Sequence, residues 1–178
     1  YFLVSQRHTL ATLFLAFSFL GKLYPVILLP LYLQACYEKI LQEGKSAWLA
    51  VLRNSVLFFG VVALGFMPFW EIGLQMFDGL KAFTLYWQSN DSIFAILVFI
   101  FKNISGGLAN EMVLSNPLPI FLSKVTVATI LTGVLVWLLC RRTSLLQQPV
   151  EFVRGFFWIM ALVFLLSPVQ NPWYLCWV

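Results

Sequence analysis

Charge is scarce in this chain. Asp, Glu, Lys and Arg make up 10% of its 178 residues while 61% are apolar, whereas soluble domains carry roughly 25% charged residues. With a mean hydropathy of +0.90, this composition excludes an ordinary water-soluble domain and predicts an integral membrane protein. The eleven Lys and Arg outnumber the seven Asp and Glu, giving a net charge of +4. They are scattered between apolar runs and form no single basic face, which argues against a nucleic-acid partner. The excess instead reads as membrane topology. Cys36, Cys140 and Cys176 show no CxxC or Cys/His spacing, so they indicate neither a zinc site nor a disulfide framework and are read as small membrane-embedded hydrophobes. No metal ligands are indicated. No basic-then-apolar leader opens the sequence. It starts at Tyr1 and stops at "NPWYLCWV", inside an apolar pattern, so a longer polytopic protein is expected.

The apolar runs set the fold class. A helix needs about 20 apolar residues to cross a hydrocarbon core of about 30 Å. Residues 118–140 and 150–166 meet this, the first ended by Arg141 and Arg142, the second by Ser167 and Pro168. A third run carries Arg53 near its start and Pro68 and Trp70 near its end, predicting a span over 54–69. The fold class is therefore all-α, a polytopic transmembrane helix bundle with short broken or re-entrant helices. Cytoplasmic loops are enriched in Lys and Arg. Placing Arg7, the 38–53 loop and the 141–154 loop inside gathers Lys39, Lys45, Arg53, Arg141, Arg142 and Arg154 there. The other side then holds Lys81, Lys102 and Lys124 with Glu71, Asp78, Asp91 and Glu111.

This sidedness makes two segments unusual. Residues 71–117 must begin and end outside, yet contain the run Ile93 to Phe101, too short to span and so expected to lie at the interface or re-enter. Residues 8–37 must begin and end inside, but are too few for two spans. They are expected to form a short helical hairpin broken at Gly21 and Pro25, since proline removes a backbone donor. Within that hairpin stands Lys22, the only charge between Thr9 and Tyr37. A lysine at the membrane centre costs roughly 2.5–3.5 kcal/mol, so it faces a cavity or an anion, or it snorkels to the headgroups beside Tyr24. A point charge at a helix break also suits a phosphate oxyanion.

Three stretches occur in order: "GKLYPVILLPLYL" (21–33), "LYWQSNDSIFAIL" (85–97) and "LLSPVQNPWYLCW" (165–177). Their Lys-x-x-Pro hairpin, Trp-x-x-Asn-x-x-x-Phe loop and Pro-x-x-x-Pro-Trp-Tyr turn resemble the carboxy-terminal half of GT-C type membrane glycosyltransferases that use polyprenyl-phosphate sugars. The similarity points particularly to the alpha-mannosyltransferase-like glycosyltransferase family 87. Between the motifs it is a matter of hydropathy alone. The resemblance implies transfer of a hexose, often mannose, from a polyprenyl-phosphate-sugar donor to a glycan or glycolipid acceptor. Transfer would occur at the extracytoplasmic face, in a multi-pass protein of a prokaryotic plasma membrane. Such enzymes carry an acidic catalytic residue in a first extracytoplasmic loop, which this sequence does not contain. The catalytic group is therefore expected upstream of Tyr1, and no cofactor is assigned. Asn171 stands where many relatives would have His, which removes a group titrating near neutral pH.

The substrate-binding candidates implied by these motifs are Lys22, Tyr24, Trp87, Asn90, Asp91, Gln170, Asn171, Trp173 and Tyr174. Gln170 and Asn171 would bond sugar hydroxyls while Trp173 offers a flat apolar face; equally, Trp173 and Tyr174 suit an aromatic belt. Trp87, Asn90 and Asp91 would cover the donor cavity, or Asp91 simply caps the next helix. Glu71 and Asp78 read as the solvated side of an interfacial helix. The competing reading of the whole chain is a transporter or lipid-linked-sugar flippase segment, because broken helices with an intramembrane lysine also build carrier sites.

Overall fold

The computed structural model describes residues 3, 5, 7–42, 44, 46–86, 92–106, 118–141 and 149–168. Among them every regular element is helical and no strand occurs. In chain order these are α1 (His8–Gly21), a 3-10 turn (Tyr24–Leu28), α2 (Leu29–Gln42), α3 (Ala47–Phe66), a 3-10 stretch (Met67–Phe77), α4 (Asp78–Tyr86), α5 (Ser92–Gly106), α6 (Leu118–Cys140) and α7 (Pro149–Leu166).

Among the described residues three helical stretches are long and apolar enough to cross a membrane: Ala47–Ala82, which contains α3, then α6 and α7. At 1.5 Å per residue, the 23 residues of α6 and the 18 of α7 extend about 35 and 27 Å, which brackets a hydrocarbon core of about 30 Å. Only 17%, 11% and 22% of their most apolar windows is buried, so these helices turn apolar side chains outward. Trp48, Leu64, Trp70 and Leu74 are 67–79% exposed. A helix in a water-soluble bundle buries its apolar stripe; this surface is matched to hydrocarbon.

The polar side chains of these apolar helices are satisfied in a way that suits such surroundings. Ser123, Thr126 and Thr129 in α6 donate to the carbonyls of Pro119, Leu122 and Val125 at 2.8, 2.9 and 2.9 Å. In α5, Asn103 donates to the Phe99 carbonyl at 3.0 Å. Each bond reaches back one turn, so the polar group needs nothing outside its own helix.

The chain divides into two compact units, Tyr1–Gly79 with Trp137–Phe156, and Leu80–Val136 with Phe157–Val178. The first is built on α3. Both α1 and α2 pack against it, and the core joins Ala16, Leu29, Tyr32, Cys36 and Phe58, flanked by Leu15, Phe19, Leu33, Val61 and Val62. Phe58 is fully buried, with the Phe19 ring 5.9 Å away and tilted by 50°. Near the other end of α3, a Cβ built on Gly65 would lie 2.6 Å from Leu20 Cδ1; the missing side chain lets the end of α1 sit against the helix. α3 starts at Ala47, seven residues before the stretch expected to form its membrane core, because Ala47, Ala50 and Asn54 bury one face while Arg53 stays exposed on another. Its α-helical ladder ends before Pro68, which has no N–H to continue it. Within the following 3-10 stretch Gly73 takes φ 59°, a left-handed conformation that favours glycine.

In this same unit the carboxy-terminal turn of α6 meets the start of α7, where Leu138 Cδ2 would contact a Cβ on Gly155 at 3.3 Å. Gln34 of α2 donates to the Leu139 carbonyl at 3.3 Å, satisfying one of the acceptors left open at a helix end. Arg141 lies over the Trp137 ring at 5.2 Å, a cation placed where the α6 dipole is negative. In the second unit Phe94, Ser123, Ile159 and Leu166 are buried. Its α5 has 15 residues, about 22 Å, which is longer than the apolar run that marks it in sequence yet short of a full crossing.

Candidate functional site

The break in the first hairpin is built by four residues. α1 stops at Gly21, and Lys22 leaves the helix with extended backbone, φ −151° and ψ 130°, while its N–H still donates to the Ser18 carbonyl at 2.9 Å. Leu23 returns to helical dihedrals and Pro25 sits at the start of the 3-10 turn, where its missing N–H costs nothing. Pro25 is buried, while Lys22 and Tyr24 are half-buried. α1 and α2 have 14 residues each, about 21 Å, so neither alone covers a hydrocarbon core of about 30 Å.

Of the residues singled out from sequence, Lys22 and Tyr24 share this break. Trp87, Asn90, Asp91, Gln170, Asn171, Trp173 and Tyr174 lie outside the described residues. Two of the quoted stretches are nonetheless partly described: Phe94 is fully buried in the first turn of α5, and α7 ends at Leu166 with the Ser167 N–H bonded to the Phe164 carbonyl at 3.3 Å.

Between the start of α1 and the first turns of α2 lies a polar cluster that the sequence reading passed over. The His8 carbonyl accepts from Thr12 Oγ1 at 2.9 Å and from the Tyr32 hydroxyl at 2.8 Å. The two hydroxyls are themselves 2.5 Å apart. Asn54 of α3 places its amide oxygen 3.4 Å from Thr12 Oγ1, and Cys36 Sγ lies 3.3 Å from His8 Nδ1. Thr12, Asn54 and Cys36 are fully buried and Tyr32 is nearly so. Two hydroxyl protons cannot serve all of these oxygen contacts at once. Turning the Asn54 amide so that its nitrogen faces Thr12 adds a third donor, and it gives Nδ2, which otherwise lacks a partner, an acceptor. Cys36 is thus both a packed core residue and a neighbour of the imidazole, while Cys140 is exposed at the end of α6. The signal was present in sequence as two one-turn pairs, His8 with Thr12 and Tyr32 with Cys36. It became a cluster only once the hairpin register set 8 against 36 and 12 against 32.

Beside His8 opens a cleft of about 350 Å³ lined by Arg7, His8, Thr9, Leu10 and Arg53. A second, larger groove of about 760 Å³ runs along the far part of α3, lined by Gly60, Ala63, Leu64, Met67, Trp70 and Glu71. Among the described residues no group of three or more His, Cys, Asp or Glu could hold a metal ion. No protein-family profile, curated protein or solved structure matches this chain.

Proposed function

We propose that this chain is part of a multi-pass integral membrane glycosyltransferase of GT-C type. In this reading it transfers a hexose, mannose being the leading choice, from a polyprenyl-phosphate donor to an extracytoplasmic acceptor. The observation that carries the reading is the interrupted hairpin, in which a half-buried lysine stands at the break between two helices too short to span. The order of the three motifs in sequence and the outward apolar surface of α3, α6 and α7 add support. In this reading the acceptor hydroxyl attacks the anomeric carbon and the lipid phosphate departs with the bonding electrons. The Lys22 ammonium then balances the charge that grows on the phosphate oxygens. The acceptor's hydroxyl proton passes to a carboxylate base that is assigned to no residue of this chain.

Sugar transfer from a polyprenyl-phosphate-mannose donor by the enzyme that contains this chain tests the proposal. Lys22→Ala should lower donor binding or turnover roughly tenfold to a hundredfold, the range of a charge-assisted contact. Lys22→Arg should recover only part of it, because a planar fork does not replace a compact ammonium. Wild-type transfer in Lys22→Ala would remove Lys22 from the site. The carrier reading rests on the same break and predicts movement of a lipid-linked sugar between leaflets with no new glycosidic bond.

A further inference from the structure

The cleft beside His8 has a composition that neither the hairpin break nor the sugar-transfer reading uses. Two of its five described lining residues are arginines, and they come from separate parts of the chain: Arg7 precedes α1, and Arg53 lies in the second turn of α3. The remaining described lining residues, His8, Thr9 and Leu10, include no carboxylate. Among the described residues neither arginine forms an ion pair, and both are exposed. Two guanidinium groups lining one cleft repel each other unless an anion stands between them. A guanidinium offers a planar fork of donors matched to phosphate oxygens. The start of α1 favours the same sign of ligand, since Arg7 supplies no side-chain cap and the first turn holds no acidic residue. The helix end is secondary; the arginine pair lining the cleft is what favours an anion there.

We propose that this cleft is a phosphate site, holding a phosphate-bearing anion between Arg7 and Arg53. The anion has two sources, a phospholipid headgroup or free phosphate, and they call for separate probes. For the first, the purified chain is reconstituted into phosphatidylcholine nanodiscs with and without phosphatidic acid. Retained phosphatidic acid is then measured by native mass spectrometry. For the second, inorganic phosphate is titrated into protein held in phosphatidylcholine alone, with the unfolding temperature as readout.

Selective retention of phosphatidic acid assigns the cleft to a lipid headgroup, and stabilisation by inorganic phosphate without that retention assigns it to free phosphate. Under either assignment Arg53→Gln should weaken binding roughly tenfold or more, the scale of one charge-assisted contact. Arg53→Lys should restore part, keeping the charge but losing the fork. Arg141→Gln is the control, an exposed arginine already held over Trp137, and should leave both readouts unchanged. If Arg53→Gln does not fold, Arg7→Gln carries the same comparison from outside every helix. Equal response of the wild type and the cleft variants to both probes overturns the proposal. A loss in Arg141→Gln as large as in Arg53→Gln also overturns it, because the attraction would then be diffuse charge and not this cleft.

Discussion

Replacing Thr12 by Val should damage the protein more than removing the Tyr32 hydroxyl, although the two oxygens touch. Val keeps the volume of Thr12 but takes away the hydroxyl that the Asn54 amide faces at 3.4 Å. Asn54 is fully buried, so losing that hydroxyl leaves a buried amide atom short of a partner, a penalty of about 1–3 kcal/mol. Tyr32 would be unharmed, since its hydroxyl still reaches the His8 carbonyl at 2.8 Å. In Tyr32→Phe the consequences reverse. Thr12 keeps the His8 carbonyl at 2.9 Å and its Asn54 contact, and only the bonds of the phenol are lost. These are worth about 0.5–1.5 kcal/mol in general and average about 0.6 kcal/mol between membrane helices.

The order of stability should therefore be wild type, then Tyr32→Phe, then Thr12→Val. Asn54→Leu, close in shape to the amide, leaves Thr12 with two oxygen partners and should cost less than Thr12→Val. In the double variant Thr12→Val/Asn54→Leu the orphaned amide is gone, so it should be more stable than Thr12→Val alone, a large departure from additivity of the kind seen in shared networks. The measurement is unfolding in mixed micelles titrated with dodecyl sulfate, followed by far-ultraviolet circular dichroism. Simple addition of the two single effects, or a Tyr32→Phe loss exceeding that of Thr12→Val, would refute this account of the cluster.

Further expectations concern sidedness and packing. On a background without native cysteines, a membrane-impermeant thiol reagent applied from outside should modify Asp78→Cys and spare Ser46→Cys, two exposed positions; the reverse labelling would invert the proposed topology. Gly60→Ala, whose new methyl would meet nothing within 4 Å, should hold or raise thermal stability by up to about 1 kcal/mol through helix propensity. Gly65→Ala must displace Leu20 and should be the less stable of the pair, and equal melting temperatures would contradict the close approach of α1 to α3.

The all-helical class and the long apolar stretches were legible because they depend on composition and run length, which need no partner. α6 spreads its apolar residues around the whole helix, with Lys124 its one charge, and its ends fall where Leu118 and Arg141 suggest. The start of α3 was not legible, because Arg53 reads as a boundary in one dimension. On a helix it is only a position on the exposed face, with Asn54 pointing into the core beside it. The cluster around Thr12 was hidden for a different reason. Thr, Tyr, Cys and a lone His in apolar helices each have a bland local reading, and their meaning lies in contacts 20 to 42 residues apart in sequence. The Arg7 and Arg53 cleft was hidden likewise: both residues were used as topology counts, and their sharing of one wall depends on α1 lying against α3.

The polar cluster and the break of the hairpin are mechanically related. α1 and α2 meet across Thr12 with Tyr32 and His8 with Cys36, near the start of α1 and one to two turns into α2. The break carrying Lys22 lies at the other end of α1, and the 3-10 turn leads from it into the first turns of α2, which hold Tyr32 and Cys36. A helix slipping by one residue rotates its side chains by about 100°, so the register fixed at the polar cluster also fixes which way the chain leaves α1 at Gly21. Hydrophobic packing around Ala16 and Phe58 tolerates such slips, since apolar groups of similar volume exchange at small cost. Paired hydroxyls and an amide do not, because a slip strands buried donors. Thr12→Val should therefore act at a distance, lowering any Lys22-dependent donor affinity even at a temperature where the variant remains folded. Thr12→Val/Asn54→Leu, which strands nothing, should recover part of that affinity along with stability. Recovery of stability with no recovery of affinity would separate the cluster from the break and leave it a purely structural lock.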